Sequence, residues 1–437
     1  MNTIRRFWIM AGLALAGLTL AACGSVRLPQ SPLLARLERK SGLIAFIGLD
    51  GNIYTMNQAG ENMVAITEDA ATGQQGDDSQ AYFYPVWAPD GKRLAYVGFH
   101  RSADGPVGAT LYTIGSDGAD RASVFTSTQD APFYLYWNPT SDHVSFLSST
   151  GQANGMQLQL VSADGDDEAV VVERAQPFYW AWAPDGQSFV AHTGGPAQVN
   201  PEGASLWRYN VDTHEMEHLA LAPSFFQAPV VSPDGDYFAA AIVDRNGDNA
   251  LVISDAAATS HRVVTQLLNR VAFDWAPEGD RLAYITGQST SVGVIGPLTI
   301  VNVRDIDAPE IVATDAEEAI AFFWSPDGDR LAYFTPALIE SEDGGNTLVL
   351  RVSVMNARNG ESELLATIRP PESFITQILP FYDQYQRSAT IWSPDARNLV
   401  INAMTGDNRP GIFILPADGS LEPRFVEFGT MAFWSWK

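Results

Sequence analysis

The sequence predicts an all-β chain, an eight-bladed β-propeller built from four-stranded antiparallel blades. Three observations carry this: a recurring turn, the period at which it recurs, and the place where the strands start and stop. The turn is Trp87-Ala88-Pro89-Asp90-Gly91, repeated as Trp182-Ala183-Pro184-Asp185-Gly186, Trp275-Ala276-Pro277-Glu278-Gly279 and Trp324-Ser325-Pro326-Asp327-Gly328. Looser copies are Trp137-Asn138-Pro139-Thr140-Ser141, Val231-Ser232-Pro233-Asp234-Gly235 and Trp392-Ser393-Pro394-Asp395-Ala396, and a truncated one, Trp434-Ser435-Trp436-Lys437, closes the sequence. The spacings are 50, 45, 49, 44, 49, 68 and 42 residues, close to the period of a propeller blade. In each copy a strand ends on a large ring and Pro sets φ for the turn. Asp then bonds a nearby backbone N–H, and Gly supplies positive φ before the next strand.

The strands follow from short β-rich runs between turn residues. Leu43 to Ile47, Asn52 to Thr55 and Asn62 to Ile66 supply three strands of the first blade, and Ala81 to Trp87 opens the second. Strands after the motif turn are Leu94–Val97, Val144–Leu147, Ser188–His192, Tyr237–Val243, Leu282–Thr286, Leu331–Thr335 and Leu399–Ala403. The chain thus begins on a second strand and ends on an inner one, Thr430 to Trp434. The first blade is predicted to close in a 3+1 arrangement, which leaves no open sheet edge around the ring. Seven blades is the alternative if the Val231 or Trp137 unit is degenerate. Trp87, Trp137, Trp182, Trp275, Trp324, Trp392 and Trp434 are expected to be structural anchors between blades, each costing roughly 3–5 kcal/mol on truncation to Ala. Val231 occupies the same slot with less volume, so its neighbours are expected to fill the gap.

Before the ring, Arg5-Arg6 precedes an apolar run from Phe7 to Ala22 that ends in Leu20-Ala21-Ala22-Cys23-Gly24. This pattern reads as a lipoprotein signal peptide over 1–22, with Cys23 acylated to become the first residue of an exported, membrane-anchored bacterial protein. Cys23 is the sole cysteine, so the exported domain is expected to hold no disulfide. Residues 23–41 form a lipidated tether, with Pro29 and Pro32 against early regular structure, and residues 42–437 form the propeller. The expected location is the outer side of the cytoplasmic membrane, the periplasm or the outer membrane. A formal charge of −25 argues against a nucleic-acid partner.

The repeats resemble the TolB-like family of WD40-like propellers, in which the turn precedes a strand reading Arg-Leu-Ala-Tyr. Arg93-Leu94-Ala95-Tyr96, Arg281-Leu282-Ala283-Tyr284 and Arg330-Leu331-Ala332-Tyr333 carry that likeness over residues 43 to 436. The resemblance implies the fold. It also implies one of two layouts, a periplasmic protein that binds partners or a propeller gating a prolyl oligopeptidase-like hydrolase. The sequence lacks the amino-terminal domain of the first layout and the α/β-hydrolase of the second, and no Gly-x-Ser-x-Gly occurs in it.

His214-Glu215-Met216-Glu217-His218 satisfies the zinc-peptidase pattern, but that chemistry needs a helix, where residues four apart share a face. Here the stretch is predicted to be a hairpin turn and an outer strand, on which such residues stand about 13 Å apart. Both roles, catalytic and metal-binding, are therefore refused. His100, His143, His192 and His261 lie in different units and form no cluster. Asp244-Arg245-Asn246-Gly247-Asp248 resembles a calcium loop without its bidentate Glu, which leaves weak calcium binding as the one cofactor open to the chain. No phosphate-cradling loop is present.

The expectation is therefore a non-enzymatic, lipid-anchored envelope propeller that binds a protein or peptide. The alternatives are a carbohydrate-active or other ligand-binding propeller with a site assembled in the channel mouth, and a purely structural protein. The face opposite the motif turns carries the irregular loops, the longest being Arg369 to Arg387. On it, Phe381, Tyr382 and Tyr385 are expected to form an aromatic partner-binding anchor.

Overall fold

The computed structural model describes Arg27 and residues 29–31, 38–71, 78–101, 105–150, 155–290, 293–305, 309–340 and 344–437, without the side chains of 315–317. The expected signal peptide, Cys23 and most of the expected tether lie outside the described residues. Eight antiparallel sheets follow one another around a ring. Blade 1 takes Ile44–Ile47, Ile53–Met56 and Val64–Ala65, and its inner strand is Thr430–Trp434 from the other end of the chain. Ile44 stands opposite Trp434 and Ala45 opposite Phe433, so the ring closes 3+1. Blades 2 to 7 begin with the inner strands Ser79–Trp87, Ala131–Trp137, Phe178–Trp182, Val230–Val231, Val271–Trp275 and Ala321–Trp324. In blade 8 the inner strand is reduced to the bridge between Trp392 and Leu399, ahead of Asn398–Met404, Pro410–Pro416 and Arg424–Phe428. A helix, α1 (Tyr382–Ser388), runs almost into that position and takes up the residues an inner strand would use.

The motif behaves as its chemistry requires. The aspartates accept from the backbone N–H two residues on, Asp90 from Lys92 at 2.9 Å and Asp185 from Gln187 at 2.9 Å. The closing position has positive φ even where glycine is replaced, 64° at Ser141 and 58° at Ala396. Neighbouring turns touch: a Cβ on Gly235, Gly279 or Gly328 would sit 3.6, 3.5 and 3.6 Å from the motif proline of the preceding blade. The turns therefore form one continuous rim.

Indole N–H groups staple the blades together. Trp87 donates to Phe433 O at 3.2 Å, Trp137 to Val86 O at 3.1 Å, Trp275 to Val230 O at 3.3 Å and Trp324 to Asp274 O at 3.3 Å. Trp392 donates to Phe323 O at 2.8 Å, and each acceptor lies on the inner strand of the preceding blade. Trp182 donates to Ser145 Oγ at 3.2 Å, and Trp434 to Ser41 O at 2.7 Å. All seven tryptophans are at most 9% exposed, so each fills a seam and satisfies its own polar atom there. At three seams an arginine from the strand after the turn covers the next ring: Arg93 over Trp137 at 5.3 Å, Arg281 over Trp324 at 5.8 Å, Arg330 over Trp392 at 5.4 Å.

The described part of the tether lies against the outer edges of the last blades. Arg27 bonds the carbonyl oxygens of Leu364 and Leu365, and Gln30 Nε2 donates to Glu422 O at 2.8 Å.

Candidate functional site

The segment 369–387 does not stand out from the ring as an open loop. It winds through a π-turn (Phe374–Ile378) and a 3-10 turn (Leu379–Phe381) into α1, which lies in the central channel. Polar side chains of α1 satisfy the inner strands around it. Gln384 accepts from Trp180 N at 3.0 Å, donates to Trp180 O at 2.9 Å and reaches the Tyr134 hydroxyl at 2.9 Å, while that hydroxyl donates to Gln384 O at 2.8 Å. A β-bulge gives Tyr134 a φ of 44° and turns it inward to make this contact. Arg387 donates to Phe273 O at 3.3 Å and Ala228 O at 3.4 Å and faces Asp274 Oδ1 at 3.4 Å. Asp383 receives Ala228 N at 3.4 Å. Burial raises the pKa of both carboxyls, with Arg387 acting in the opposite sense on Asp274, and Arg270 and then Arg387 on Asp383.

The aromatic residues of this segment divide. Tyr382 is 3% exposed and packs edge-on against Phe322 and Phe323; Tyr385 packs edge-on against Tyr134, with ring centroids 5.0 Å apart. Phe381 remains 48% exposed. Two of the three expected anchors thus face the channel wall, Tyr382 buried and Tyr385 half-buried, because the helix lies inside a ring of strands. Phe381 is the most exposed of the three.

With α1 closing one side, the channel opens on the rim of motif turns as a blind funnel of about 400 Å³. Trp182, Trp275, Trp324, Trp392, Tyr136 and Trp436 line the walls, and the motif prolines Pro233, Pro277 and Pro326 form the rim. Its floor holds Asp274, Gln386 and Arg387. Gln386 is 6% exposed, and its side-chain oxygen has no hydrogen-bond partner among the described residues.

Val231 opens a second space. Its neighbours do not fill the missing tryptophan volume. They leave a groove of about 320 Å³ between blades 4 and 5, and Val231 lines both this groove and the funnel. The covering arginine is missing too, since Ser188 holds that position in blade 4 and also lines the groove. Asp185, Asp234 and Asp236 rim the groove with Arg208, whose guanidinium bonds Ala256 O. The sequence signal for the site was the single repeat copy that lacks its ring, where the neighbours were expected to fill the gap and do not.

The remaining candidates stay apart. His214 meets the Tyr209 hydroxyl at 2.9 Å and His218 the Ser205 hydroxyl at 2.8 Å, each on its own partner. Strand geometry begins at Met216, so no helix brings the two imidazoles together. Asp244 Oδ1 accepts from Asn246 N at 2.8 Å and Asp248 N at 2.9 Å, as a hairpin turn does. Among the described residues no three His, Cys, Asp or Glu side chains are grouped to hold a metal ion, and no helix is long and apolar enough to cross a membrane.

No protein-family model and no curated protein sequence matches the chain. Among solved structures it is similar to oligogalacturonate lyase in complex with manganese, at 15% identity and a TM-score of 0.50 over 86% of this chain and 97% of that one. It is also similar to the dihydro-heme d1 dehydrogenase NirN, at 12% identity and a TM-score of 0.52 over 94% of this chain and 77% of that one. The likeness to TolB from Acinetobacter baumannii is more distant, at 14% identity and a TM-score of 0.36 over 74% and 77%. These likenesses are likenesses of fold.

Proposed function

We propose that the chain is an exported, Cys23-anchored binding propeller whose working surface is the rim of motif turns, with a ligand site assembled at the channel mouth from several blades. The observation that carries this reading is the blind funnel. Its volume lies in the range of small-molecule sites, and its walls are aromatic with a few polar groups converging at the base. The face expected beforehand is the one that α1 stops. Binding fits the funnel better than catalysis does, because Asp274 is its one lining carboxylate and already faces Arg387.

The test blocks the rim. In a Cys23→Ser background, Pro326→Cys on the rim is coupled to a bulky maleimide, and Leu268→Cys, 92% exposed between blades 5 and 6, serves as the control. Thermal stabilisation by a panel of short peptides and oligosaccharides is then measured for both. Stabilisation lost only with the rim label supports the reading, and stabilisation surviving that label refutes it. The anchor has a separate readout, since Cys23→Ser is expected to remove the lipid mass from protein recovered from cells.

A further inference from the structure

Resting on that reading of the rim, we infer that the funnel and the groove beside Val231 together bind one end of a linear, neutral oligosaccharide. The shape comes first. The funnel is blind because α1 forms its floor, so a polymer enters by its end and does not thread through the ring. The groove and the funnel share Val231 as a wall, so the following units have only that side chain to cross on their way outward between blades 4 and 5.

The chemistry narrows the occupant. At the floor, Asp274 and Arg387 stand 3.4 Å apart, so an ammonium or carboxylate end would meet a like charge beside any opposite one. A neutral end with both donors and acceptors meets neither penalty. Hydroxyl groups can donate to the partly exposed Asp274 carboxylate, the buried Gln386 oxygen beside it lacks any other partner, and the partly exposed Tyr136 and Trp436 rings suit pyranose faces. Asp185, Asp234 and Asp236 along the groove accept from sugar hydroxyls and repel a polyanion such as a polyuronate.

A peptide fits the groove less well. The backbone groups of the two turns that border it are already paired, Gly186 N with Ala183 O, Gly235 N with Ser232 O, and Ser232 N with Tyr237 O. An extended peptide would find no strand edge there and would leave its own amides unpaired.

The experiment uses the full chain and saturation-transfer NMR with four neutral tetrasaccharides: maltotetraose, cellotetraose, mannotetraose and N-acetylchitotetraose. Tetragalacturonate and tetra-alanine are the comparators. At least one neutral sugar is expected to bind saturably, with the strongest transfer on a terminal residue. Val231→Trp, which fills the seam, is expected to weaken that binding by at least about tenfold while leaving the melting temperature unchanged or higher. Should that variant fail to fold, Tyr237→Ala on the groove wall carries the same test through its loss of sugar affinity. No neutral sugar bound, or equal binding by Val231→Trp, overturns the proposal. Tetra-alanine binding that Val231→Trp removes would overturn the sugar assignment and leave the rim reading standing. Binding of neither class, in either protein, would sink both.

Discussion

The seam between blades 6 and 7 and the seam between blades 4 and 5 are built on the same motif and differ in the two side chains that fill and cover the seam. In the first, Trp324 fills the space, donates to Asp274 O at 3.3 Å and lies under Arg281. In the second, Val231 and Ser188 stand in those places, the indole bond and the covering cation are gone, and about 320 Å³ stays open. The contrast teaches that the repeat works as a fastener and that a groove opens where one fastener is left out. At its other end the open seam is held by a different device. His192, fully buried, lies 3.1 Å from Gln227 O and 3.0 Å from Gly195 O, with Phe226 packed on its ring.

The largest effect that would break the comparison is loss of the ring itself. Deleting Met431 to Lys437 removes most of the inner strand of blade 1 and the fully buried Trp434. It should abolish the cooperative thermal transition, because an edge and a core pocket are exposed together. A truncated chain that melts at the wild-type temperature would deny that closure bears on every seam alike.

Next, Trp324→Ala should cost about 3–5 kcal/mol in urea unfolding, and Val231→Ala about 1 kcal/mol or less, because Val231 borders space that is already open. Equal losses would show that the two seams carry the same load and would end the comparison.

The His192 device should give the open seam a pH dependence. Burial lowers the pKa of His192 from 6.5 to about 4, so the unfolded chain takes up its proton first as pH falls. Its contribution is complete above pH 6.5 and is lost progressively towards pH 4, amounting to ~3 kcal/mol in all. His192→Gln should flatten that part of the stability curve relative to wild type. A parallel curve for the variant would assign the acid sensitivity elsewhere.

The smallest effect concerns the covering cations. Arg93→Met, which uncovers the Trp137 ring and frees Asp164, should lower stability by about 1 kcal/mol or less. A loss as large as that of Trp324→Ala would mean that the cation, and not the indole, fastens the seam.

The sequence by itself determined the blade number, the motif turns and the closure by Thr430–Trp434, all visible as local pattern. Turn chemistry is written in five consecutive residues, and spacings of 42 to 50 residues in all but one case repeat it often enough to outlast the loose copies at Trp137 and Trp392. Tertiary structure alone decided where the channel is open. The apolar run from Phe374 to Tyr385 reads equally as an exposed anchor or a buried one, and the choice depends on whether the ring is wide enough to admit α1. Eight inner strands leave that width, and the helix then buries Tyr382, packs the half-buried Tyr385 against Tyr134 and stops one face. The funnel floor follows from the same step. Asp274 and Arg387 are 113 residues apart, with the rest of blade 6 and all of blade 7 between them, and only the curvature of the ring brings them to 3.4 Å. Val231 was legible as a missing ring, but whether its neighbours would close over it was a matter of packing between two blades, which no stretch of either blade specifies alone.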